Sequence, residues 1–351
     1  MKLPMLDVNQ CAGKRILVRI DFNVPVKNNE IVDDFRIKKT LPLIRNLLAK
    51  KASIVLLSHL TERKTHRSFK ELIPALERAC DTSIAFASDI AAACTLQTHD
   101  APPVILLENL RAFPGEEQND LAFAQELTAL GDYYINEDFS QSHRPYASFV
   151  SLPKLLPSFV GPLFQQEVEK LSEALNPPHP FLLILGGVKF ETKLGVLNHF
   201  LPIADRIFIG GALPLNVPNL AWDKSNVMLP DDTIIYDHRV VDSGPRTLDA
   251  LEKEIARAAM VLWNGPLGSI EEGFDEGTNR LARALAVASE SRPRQAVSPT
   301  KVIVGGGDTV SVLHRLGFID SFYHVSTGGG AMLTFLATGT LPGIDTLLEK
   351  E

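Results

Sequence analysis

The chain has 351 residues, of which 45% are hydrophobic and 22% are charged, and its formal net charge is -7. This length suggests two globular domains, and the acidic balance argues against a general nucleic-acid binder, which needs a basic face for phosphate groups. Three scattered cysteines, no visible secretory signal and no apolar run of membrane-spanning length lead us to expect a cytoplasmic protein without a membrane partner.

The first half of the chain alternates short apolar segments with segments whose apolar residues recur at three-and-four spacing. The former predict buried strands and the latter predict helices. Such alternation is typical of a parallel sheet covered by helices. The predicted strands are 15–20, 53–58, 83–88, 103–108 and 132–136, and the predicted helices are 36–50, 69–80 and 119–130.

Residues 151–180 interrupt this alternation, because prolines frame a single amphipathic helix there. We interpret residues 159–176 as a helix that connects an N-terminal domain, 1–158, to a C-terminal domain, 177–337. The second domain repeats the α/β pattern. Its predicted strands are 181–185, 206–209, 259–263, 301–304 and 323–326.

Four of these later strands run directly into glycines, in "LLILGGVK", "RIFIGGA", "KVIVGGGDTV" and "YHVSTGGGA". The carboxyl ends of parallel strands lie at one edge of the sheet, where glycine exposes backbone N–H groups and a following helix adds its positive dipole end. This edge suits phosphate oxygens. Lys189 and Lys193 could neutralise phosphate charge, or could simply be solvated helix residues, and Asp308 could hold Mg²⁺.

The strand ends of the first domain carry positive or hydrogen-bonding side chains instead. Taken singly, each is more often a surface charge or a helix cap, but together they would form a basic pocket for a small anion, which arginine binds in a bidentate manner. These residues are Arg19, Asp21, Asn23, Arg36, His59, Arg111, His143 and Arg144.

Several common catalytic motifs are missing from the sequence. It contains no P-loop, no G-x-G-x-x-G fingerprint, no protein-kinase motif set, no zinc motif and no hydrolase elbow.

The remaining motifs resemble the phosphoglycerate kinase family, in order and over nearly the whole chain. They are "RILVRIDFNVPV", "ILLENLR", "YYINEDFSQSHR", "FLLILGGVKFETK", "IFIGGA", "VLWNGPLG", "VIVGGGDT" and "HVSTGGGA". The resemblance implies two Rossmann-like three-layer domains with parallel sheets, joined by a helix and a hinge, and a tail, 338–351, that packs back on the first domain. It also implies reversible, Mg²⁺-dependent phosphoryl transfer between 1,3-bisphosphoglycerate and ADP, giving 3-phosphoglycerate and ATP in glycolysis. We expect a monomer.

The resemblance also assigns roles to individual residues. The 3-phosphoglycerate site would comprise Asp21, Asn23, Arg36, His59, Arg111 and Arg144, with His143 in the same pocket. The nucleotide site would comprise Gly187, Lys189, Lys193, Gly210, Gly211, Asn264, Pro266, Glu271, Gly306, Gly307, Asp308 and Thr309, with Asp308 on the metal side. The groups facing the transferring phosphoryl would be Arg36, Lys189, Gly328 and Gly329.

Two departures from the family pattern fall in the first domain. "SHLTERKT" stands where the family has S-H-L-G-R-P, so Glu62 takes the place of an arginine, and we expect Arg63 to replace it in the substrate site. "EDFSQSHR" stands where the family has D-A-F-G-T-A-H-R, which puts Ser140 at a glycine position.

Two further departures fall in the second domain. The segment between Gly211 and Asp242 is short, so the adenine pocket should have fewer walls unless Leu213, Leu215 or Trp222 rebuilds it. The glutamate loop is one residue short, so Glu271 and Glu272 compete for the ribose. A non-catalytic relative that binds a phosphorylated acid or a nucleotide is the alternative hypothesis, and a dehydrogenase is disfavoured by the missing fingerprint.

Overall fold

The structure is a computed structural model that describes residues 2–62, 65–97, 103–215, 225–290 and 299–349. Its contacts divide the chain into two compact units. Unit 1 comprises Met1–Val168 and Thr340–Glu351, and unit 2 comprises Glu169–Gly339. Each unit contains a sheet of six parallel strands, which confirms the predicted α/β fold class.

The strands are numbered along the chain. They are β1 (Arg15–Arg19), β2 (Val26–Lys27), β3 (Glu30–Ile31), β4 (Ser53–Leu57), β5 (Thr61–Glu62), β6 (Thr65–His66), β7 (Ala85–Ala87), β8 (Val104–Leu107), β9 (Tyr133–Asn136), β10 (Ser158–Val160), β11 (Phe181–Leu185), β12 (Arg206–Ile209), β13 (Val227–Met228), β14 (Thr233–Tyr236), β15 (Arg239–Ser243), β16 (Met260–Asn264), β17 (Lys301–Gly305) and β18 (His324–Val325).

The α-helices are numbered in the same way. They are α1 (Phe35–Ala49), α2 (Ile73–Cys80), α3 (Ile90–Leu96), α4 (Pro114–Glu117), α5 (Leu121–Thr128), α6 (Ser151–Leu155), α7 (Pro162–Leu175), α8 (Glu191–Phe200), α9 (Pro245–Ile255), α10 (Glu276–Glu290), α11 (Gly307–Leu316), α12 (Gly330–Thr338) and α13 (Pro342–Leu348).

The sheet of unit 1 has the strand order β10-β9-β1-β4-β8-β7. Alternate residues of β1 enter two separate buried clusters, because successive side chains point to opposite faces of a strand. Ile16 and Val18 pack with residues of α1, whereas Leu17 packs with residues of α5. Both faces of the sheet are therefore covered by helices, as the continuous apolar strands predict.

The sheet of unit 2 has the strand order β13-β12-β11-β16-β17-β18. All five residues of β11 are buried, as expected for a central parallel strand. Strands β14 and β15 form a separate antiparallel hairpin at the end of the short segment between Gly211 and Asp242. The sequence pattern did not predict this hairpin.

The interrupted region 151–180 contains more structure than the single helix that we predicted. Helix α6 and strand β10 precede α7, and β10 pairs in parallel with β9. A three-residue strand such as "SFV" is too short to show a periodicity, which explains why the sequence pattern missed it.

A helix that spans a membrane needs a long, continuously apolar segment. No single one of the described helices is long and apolar enough to cross a membrane, although the bent pair α12 and α13 together has the necessary length and composition.

Candidate active site

In unit 1 the strand order reverses between β1 and β9. From β1 the chain continues to β4 on one side and later returns to β9 on the other side. Ligands of open parallel sheets bind beyond the carboxyl ends of the strands at such a reversal. Arg19 ends β1 and lies in register with Asn136, which ends β9. The polar residues that follow these two strands therefore meet at one point.

A fully buried ion pair lies at this reversal. Arg19 donates through Nη1 to Asp138 Oδ2 at 2.8 Å, and both side chains are at most 1% exposed. The Arg19 guanidinium also lies 4.6 Å from the centre of the Phe149 ring. Removing one partner would leave a buried charge without compensation, so the two groups fix each other in place.

Asp21 connects this ion pair to α1. Arg36 donates through Nη1 to Asp21 Oδ2 at 2.8 Å and to the carbonyl oxygen of Asn23 at 3.2 Å. Burial alone would raise the pKa of Asp21, but the charge of Arg36 and the hydrogen bonds from Ser140 Oγ and the Asn23 N–H outweigh it and leave the pKa lowered. Asp21 is therefore ionised near neutral pH and holds the Arg36 guanidinium at the strand end.

A second chain of contacts positions Arg111. Its Nη1 donates to Thr61 Oγ1 at 2.6 Å, and its Nη2 donates to Gln141 Oε1 at 3.0 Å. The backbone N–H of Thr61 in turn donates to Asn23 Oδ1 at 3.0 Å. Thr61 stands at a glycine position of the family pattern, and its hydroxyl group adds a contact that glycine could not make.

Two histidines belong to the same region. Burial, together with the charge of Arg19, holds the pKa of His59 well below its ordinary value. Burial, followed by the charge of Arg144, lowers the pKa of His143 to about 4. Both rings are therefore neutral near pH 7. His59 Nε2 and His143 Nδ1 are buried without a hydrogen-bond partner among the described residues, so each has unused capacity.

The structure thus gathers most of the predicted acid-site residues and leaves one untested. Asp21, Asn23, Arg36, His59 and Arg111 are linked by hydrogen bonds or electrostatic interaction. Arg144, which follows His143 in the chain, is exposed. Arg63, which we predicted to replace the family arginine, lies outside the described residues.

In unit 2 the strand order reverses between β11 and β16. The two strand ends lie so close that Gly186 N–H donates to the Asn264 carbonyl at 2.9 Å and Gly187 N–H donates to the Pro266 carbonyl at 2.7 Å. A Cβ atom on Gly186 would lie 2.2 Å from the Pro266 oxygen. Gly211 has a φ of +62°, and a Cβ there would lie 2.6 Å from the Gly187 oxygen. Only glycine fits these positions.

A cavity of about 510 Å³ opens beside these glycines. Val240 and Val241 of β15 line it, so the hairpin supplies a wall where we predicted that walls would be missing. Leu213 is buried and Leu215 is 75% exposed, and neither lines the cavity; Trp222 lies outside the described residues. The other lining residues are Gly187, Val188, Gly211, Ala212, Pro266, Leu267, Gly268, Ser269, Ile270, Glu271, Glu272, Asp308, Ser311, Val312 and Arg315.

The two glutamates that compete for the ribose differ in their contacts. Both Glu271 and Glu272 line the cavity, but Glu272 Oε1 accepts a hydrogen bond from Arg239 Nη2 at 3.2 Å. Because Arg239 already engages Glu272, Glu271 is the better candidate to accept hydrogen bonds from a ligand.

Helices α11 and α12 begin at this edge of unit 2, at Gly307 and Gly330. Asp308, in the first turn of α11, is exposed. Thr309 is fully buried, and its Oγ1 lacks a hydrogen-bond partner among the described residues. The glycine-rich strand ends therefore lead into helix N-termini, whose free N–H groups and positive dipole ends attract anions.

The two lysines differ in exposure. Lys193 is buried and Lys189 is exposed. Burial lowers the pKa of Lys193, an effect that Asp308 opposes and Lys189 adds to. Lys193 is thus close enough to Asp308 and Lys189 to sense both charges, whereas Lys189 remains available to a ligand at the surface.

Sequence reasoning did not assign a role to several of the residues that build these sites. In unit 1 they are Thr61, Asp138, Ser140 and Gln141, and in unit 2 they are Val188, Val240, Val241, Leu267 and Ile270. For the four residues of unit 1 a signal was available, because all of them lie at departures from the family pattern. The apolar residues of unit 2 carry no local signal, since valine, isoleucine and leucine are frequent in buried strands and cores throughout a protein.

Comparison with known proteins gives a consistent result. The sequence model of the phosphoglycerate kinase family matches residues 5–220 and 213–339. The chain is 35% identical to the phosphoglycerate kinase of Leptospira biflexa over 404 aligned positions that cover 100% of both chains. It is 37% identical to that of Thermus thermophilus, over 95% of this chain and 97% of the relative.

Solved structures agree. The phosphoglycerate kinase of Pyrococcus horikoshii superposes with a TM-score of 0.87 at 25% identity, and that of Coxiella burnetii with a TM-score of 0.77 at 29% identity; each comparison covers 99% of this chain and 100% of the other. The two family-model matches overlap at residues 213–220, within the segment that the sequence predicts to be short. The chain therefore belongs to the phosphoglycerate kinase family and is a phosphotransferase.

Proposed function

We propose that the two strand-order reversals divide the family's reaction between them. The arginine-rich reversal of unit 1 binds 3-phosphoglycerate or 1,3-bisphosphoglycerate, and the glycine-rich reversal of unit 2 binds ATP or ADP with Mg²⁺. The observation that carries this proposal is the contrast between the donors at the two reversals: guanidinium groups in unit 1, and strand-end glycines beside a partly apolar cavity in unit 2.

The acid half of the proposal rests on Arg36, Arg111 and the neighbouring Arg144. A phosphorylated acid carries a phosphate and a carboxylate, and guanidinium groups bind both with paired hydrogen bonds. Because the pKa of a carboxylic acid is about 4, the acceptor is already ionised at neutral pH. The transfer therefore needs no general base. It needs two anions held in line and a stabilised transition state.

The nucleotide half rests on the cavity of about 510 Å³ and on the adjoining glycines. Its apolar residues suit a base, Glu271 suits a ribose, and the N-termini of α11 and α12 suit phosphates. Lys189 would stabilise charge on the transferring group, together with the backbone near Gly328 and Gly329.

Asp308 is the residue that would hold Mg²⁺. Its carboxylate is exposed in the first turn of α11, beside the unpartnered hydroxyl of Thr309, and carboxylate oxygen is the donor that this ion prefers. When bound, the ion would neutralise part of the negative charge of the phosphates. The proposal also keeps the monomeric state and the cytoplasmic location expected from the sequence, and the free state of Cys11, Cys80 and Cys94 supports a reducing compartment.

A coupled assay with 3-phosphoglycerate and MgATP tests this division of labour. We expect Arg111→Ala to raise the KM for the acid by roughly tenfold to a hundredfold and to leave the KM for MgATP within threefold, on the scale of a lost charged hydrogen bond. Asp308→Ala should raise the KM for MgATP and leave the KM for the acid within threefold. If both variants change both KM values equally, the substrates are not divided in this way.

A further inference from the structure

Two departures from the family pattern, at Asp138 and Ser140, bring extra polar groups into the acid site. Counting along "EDFSQSHR" against D-A-F-G-T-A-H-R puts Asp138 at an alanine position and Ser140 at a glycine position. Neither is a surface substitution, because Asp138 is 1% exposed and Ser140 is 5% exposed. Both side chains instead contact residues of the predicted acid site: Asp138 pairs with Arg19, and Ser140 contacts Asp21.

Ser140 bridges two carboxyl groups. Its Oγ lies 2.6 Å from Asp21 Oδ2 and 2.7 Å from Asp138 Oδ1. A hydroxyl group has a single hydrogen and can donate it to only one of these oxygens. The other short contact is a hydrogen bond only when the carboxyl group carries a proton and donates to Oγ. Both contacts can therefore be hydrogen bonds at once only if one of the two carboxyl groups is protonated.

Asp138 is the better of the two positions for this proton. Asp21 is held in its charged form by the direct ion pair with Arg36, whereas burial dominates for Asp138 and raises its pKa to about 6. Protonated Asp138 would donate to Ser140, and Ser140 would then donate to the Asp21 carboxylate.

The groups that face Asp138 come from several elements. Arg19 and Asp21 belong to β1 and the residues after it, His59 follows β4, and Tyr134 belongs to β9. One step further out, Arg36 of α1 pairs with Asp21, and Glu116 of α4 reaches Arg19 through Ser148. Asp21, His59 and Asp138 are close enough to surround a cation, but two guanidinium groups already neutralise the carboxylates, so the cluster has no net negative charge with which to attract one.

We propose that Asp138 and Ser140 form a proton-accepting link that tunes the affinity of the acid site for its anionic substrate. This inference rests on the proposed acid-binding role of unit 1. Asp138 acts as a positioning residue, because it reaches the site through Arg19, Ser140 and Asp21. When Asp138 is neutral, the charge of Arg19 is no longer cancelled and the site is more positive by one unit. When Asp138 is ionised, the site is less attractive to phosphate and carboxylate.

The sign of the pH dependence follows from this linkage. Binding an anion favours the protonated form, so the pKa of Asp138 rises above about 6 in the complex. The KM for 3-phosphoglycerate is then lowest below the pKa of the free protein and rises with pH until the pKa of the complex is passed. A pKa displacement of about one unit corresponds to a tenfold rise in KM.

Asp138→Asn separates this effect from a structural one. Asparagine is always neutral, and it can accept from Arg19 through Oδ1 and donate to Ser140 through Nδ2, so it reproduces the charge of the protonated state. The Gln141 N–H that donates to Asp138 Oδ1 at 3.0 Å loses its acceptor in this variant. We expect its KM for 3-phosphoglycerate at pH 8 to be several-fold to tenfold lower than that of the wild-type chain, and the two values to converge below pH 6. The phosphate of the substrate titrates in the same range but does so equally for both proteins.

Glu137→Gln is the matched control. Glu137 is an adjacent buried carboxyl group, and burial raises its pKa to about 8, but its oxygens accept from the N–H groups of Leu163 and Phe164. This variant should retain the rise in KM between pH 6 and pH 7. If Asp138→Asn fails to fold, the double variant Asp138→Ala with Ser140→Gly restores the family pattern and should also lose that rise.

Calorimetric binding of 3-phosphoglycerate in buffers of different ionisation enthalpy gives a second readout. Near pH 6.5 the wild-type chain should take up a larger fraction of a proton than Asp138→Asn. Equal proton uptake, or an unchanged rise in KM in Asp138→Asn and in the double variant, would overturn the inference. That result would leave the acid site itself intact, since Arg111→Ala would still weaken binding; no binding of 3-phosphoglycerate to the wild-type chain would instead refute the proposed function.

Discussion

The two candidate sites occupy equivalent positions in their sheets but are built from different parts of the polypeptide. In unit 1 the reversal between β1 and β9 is filled by side chains, with Arg19, Asp21, Arg36 and Arg111 held by ion pairs and hydrogen bonds. In unit 2 the reversal between β11 and β16 is filled by backbone, because glycines bring the strand ends together. The same topological position can thus serve a compact anion or an extended nucleotide.

This difference predicts opposite sensitivities to mutation. A site made of side chains is weakened when an atom is removed, and contacts that share a residue should not be additive. A site made of backbone is weakened when an atom is added, because a Cβ occupies space that the chain or the ligand needs.

Lys189→Ala tests whether unit 2, like unit 1, depends on a side chain. If Lys189 stabilises the transferring phosphoryl group, its removal should lower kcat about a hundredfold or more, the scale seen for the loss of a charge stabiliser. Lys253→Ala, on the exposed face of α9, is the control and should leave kcat unchanged. A normal kcat for Lys189→Ala in steady-state assays would contradict this role for the Lys189 side chain.

Gly211→Ala tests whether an added Cβ atom weakens the backbone-built site of unit 2. The added Cβ would meet the Gly187 backbone, and alanine is strained at a φ of +62°. Strain of about 1–3 kcal/mol should raise the KM for MgATP by roughly fivefold to a hundredfold if the loop shifts to relieve it. Gly317 has a φ of +74° with open space around it, so Gly317→Ala measures strain without the clash. An equal effect of both variants on nucleotide KM would exclude close backbone approach as the cause.

Thr61→Val tests the side-chain network of unit 1. The change removes the hydroxyl that accepts from Arg111 at 2.6 Å and keeps the backbone N–H that donates to Asn23. We expect the KM for 3-phosphoglycerate to rise threefold to tenfold, on the scale of about 1 kcal/mol for one hydrogen bond. Thr95→Val, on exposed α3, is the control. In an Arg111→Ala background, Thr61→Val should have no further effect, and full additivity would contradict the proposed contact.

The smallest effects are expected for the choice between purine nucleotides and for the apolar residues of the cavity wall. The described cavity wall near Val240, Val241 and Ile270 is apolar, so it offers little to distinguish one purine from another. We expect GTP to be used within about tenfold of ATP, a difference of about 1.4 kcal/mol. Val240→Ala should raise the KM for both nucleotides equally and by less than threefold, because Val240 is 46% exposed. A preference for ATP of more than a thousandfold would show that polar groups read the base.

Local sequence patterns were sufficient for the main strands and for the family. The strands predicted at 15–20 and 181–185 correspond to β1 and β11, because long runs of buried apolar residues identify central parallel strands. The ordered motifs predicted the family, and the comparisons confirm it. The patterns failed where an element is short or depends on a distant partner, as for β10, which is a strand only because β9 lies beside it.

The sequence by itself determined the fold class, the family and the kind of chemistry, because these depend on residue types and on periodicities along the chain. Only the tertiary structure decided which of the polar residues meet. Asp138 and Arg19 are far apart in sequence, and their ion pair exists because β9 returns to the side of β1. The same holds for Val240, whose place in the cavity wall depends on the packing of a hairpin. Contacts of this kind follow from strand order, which no local pattern records.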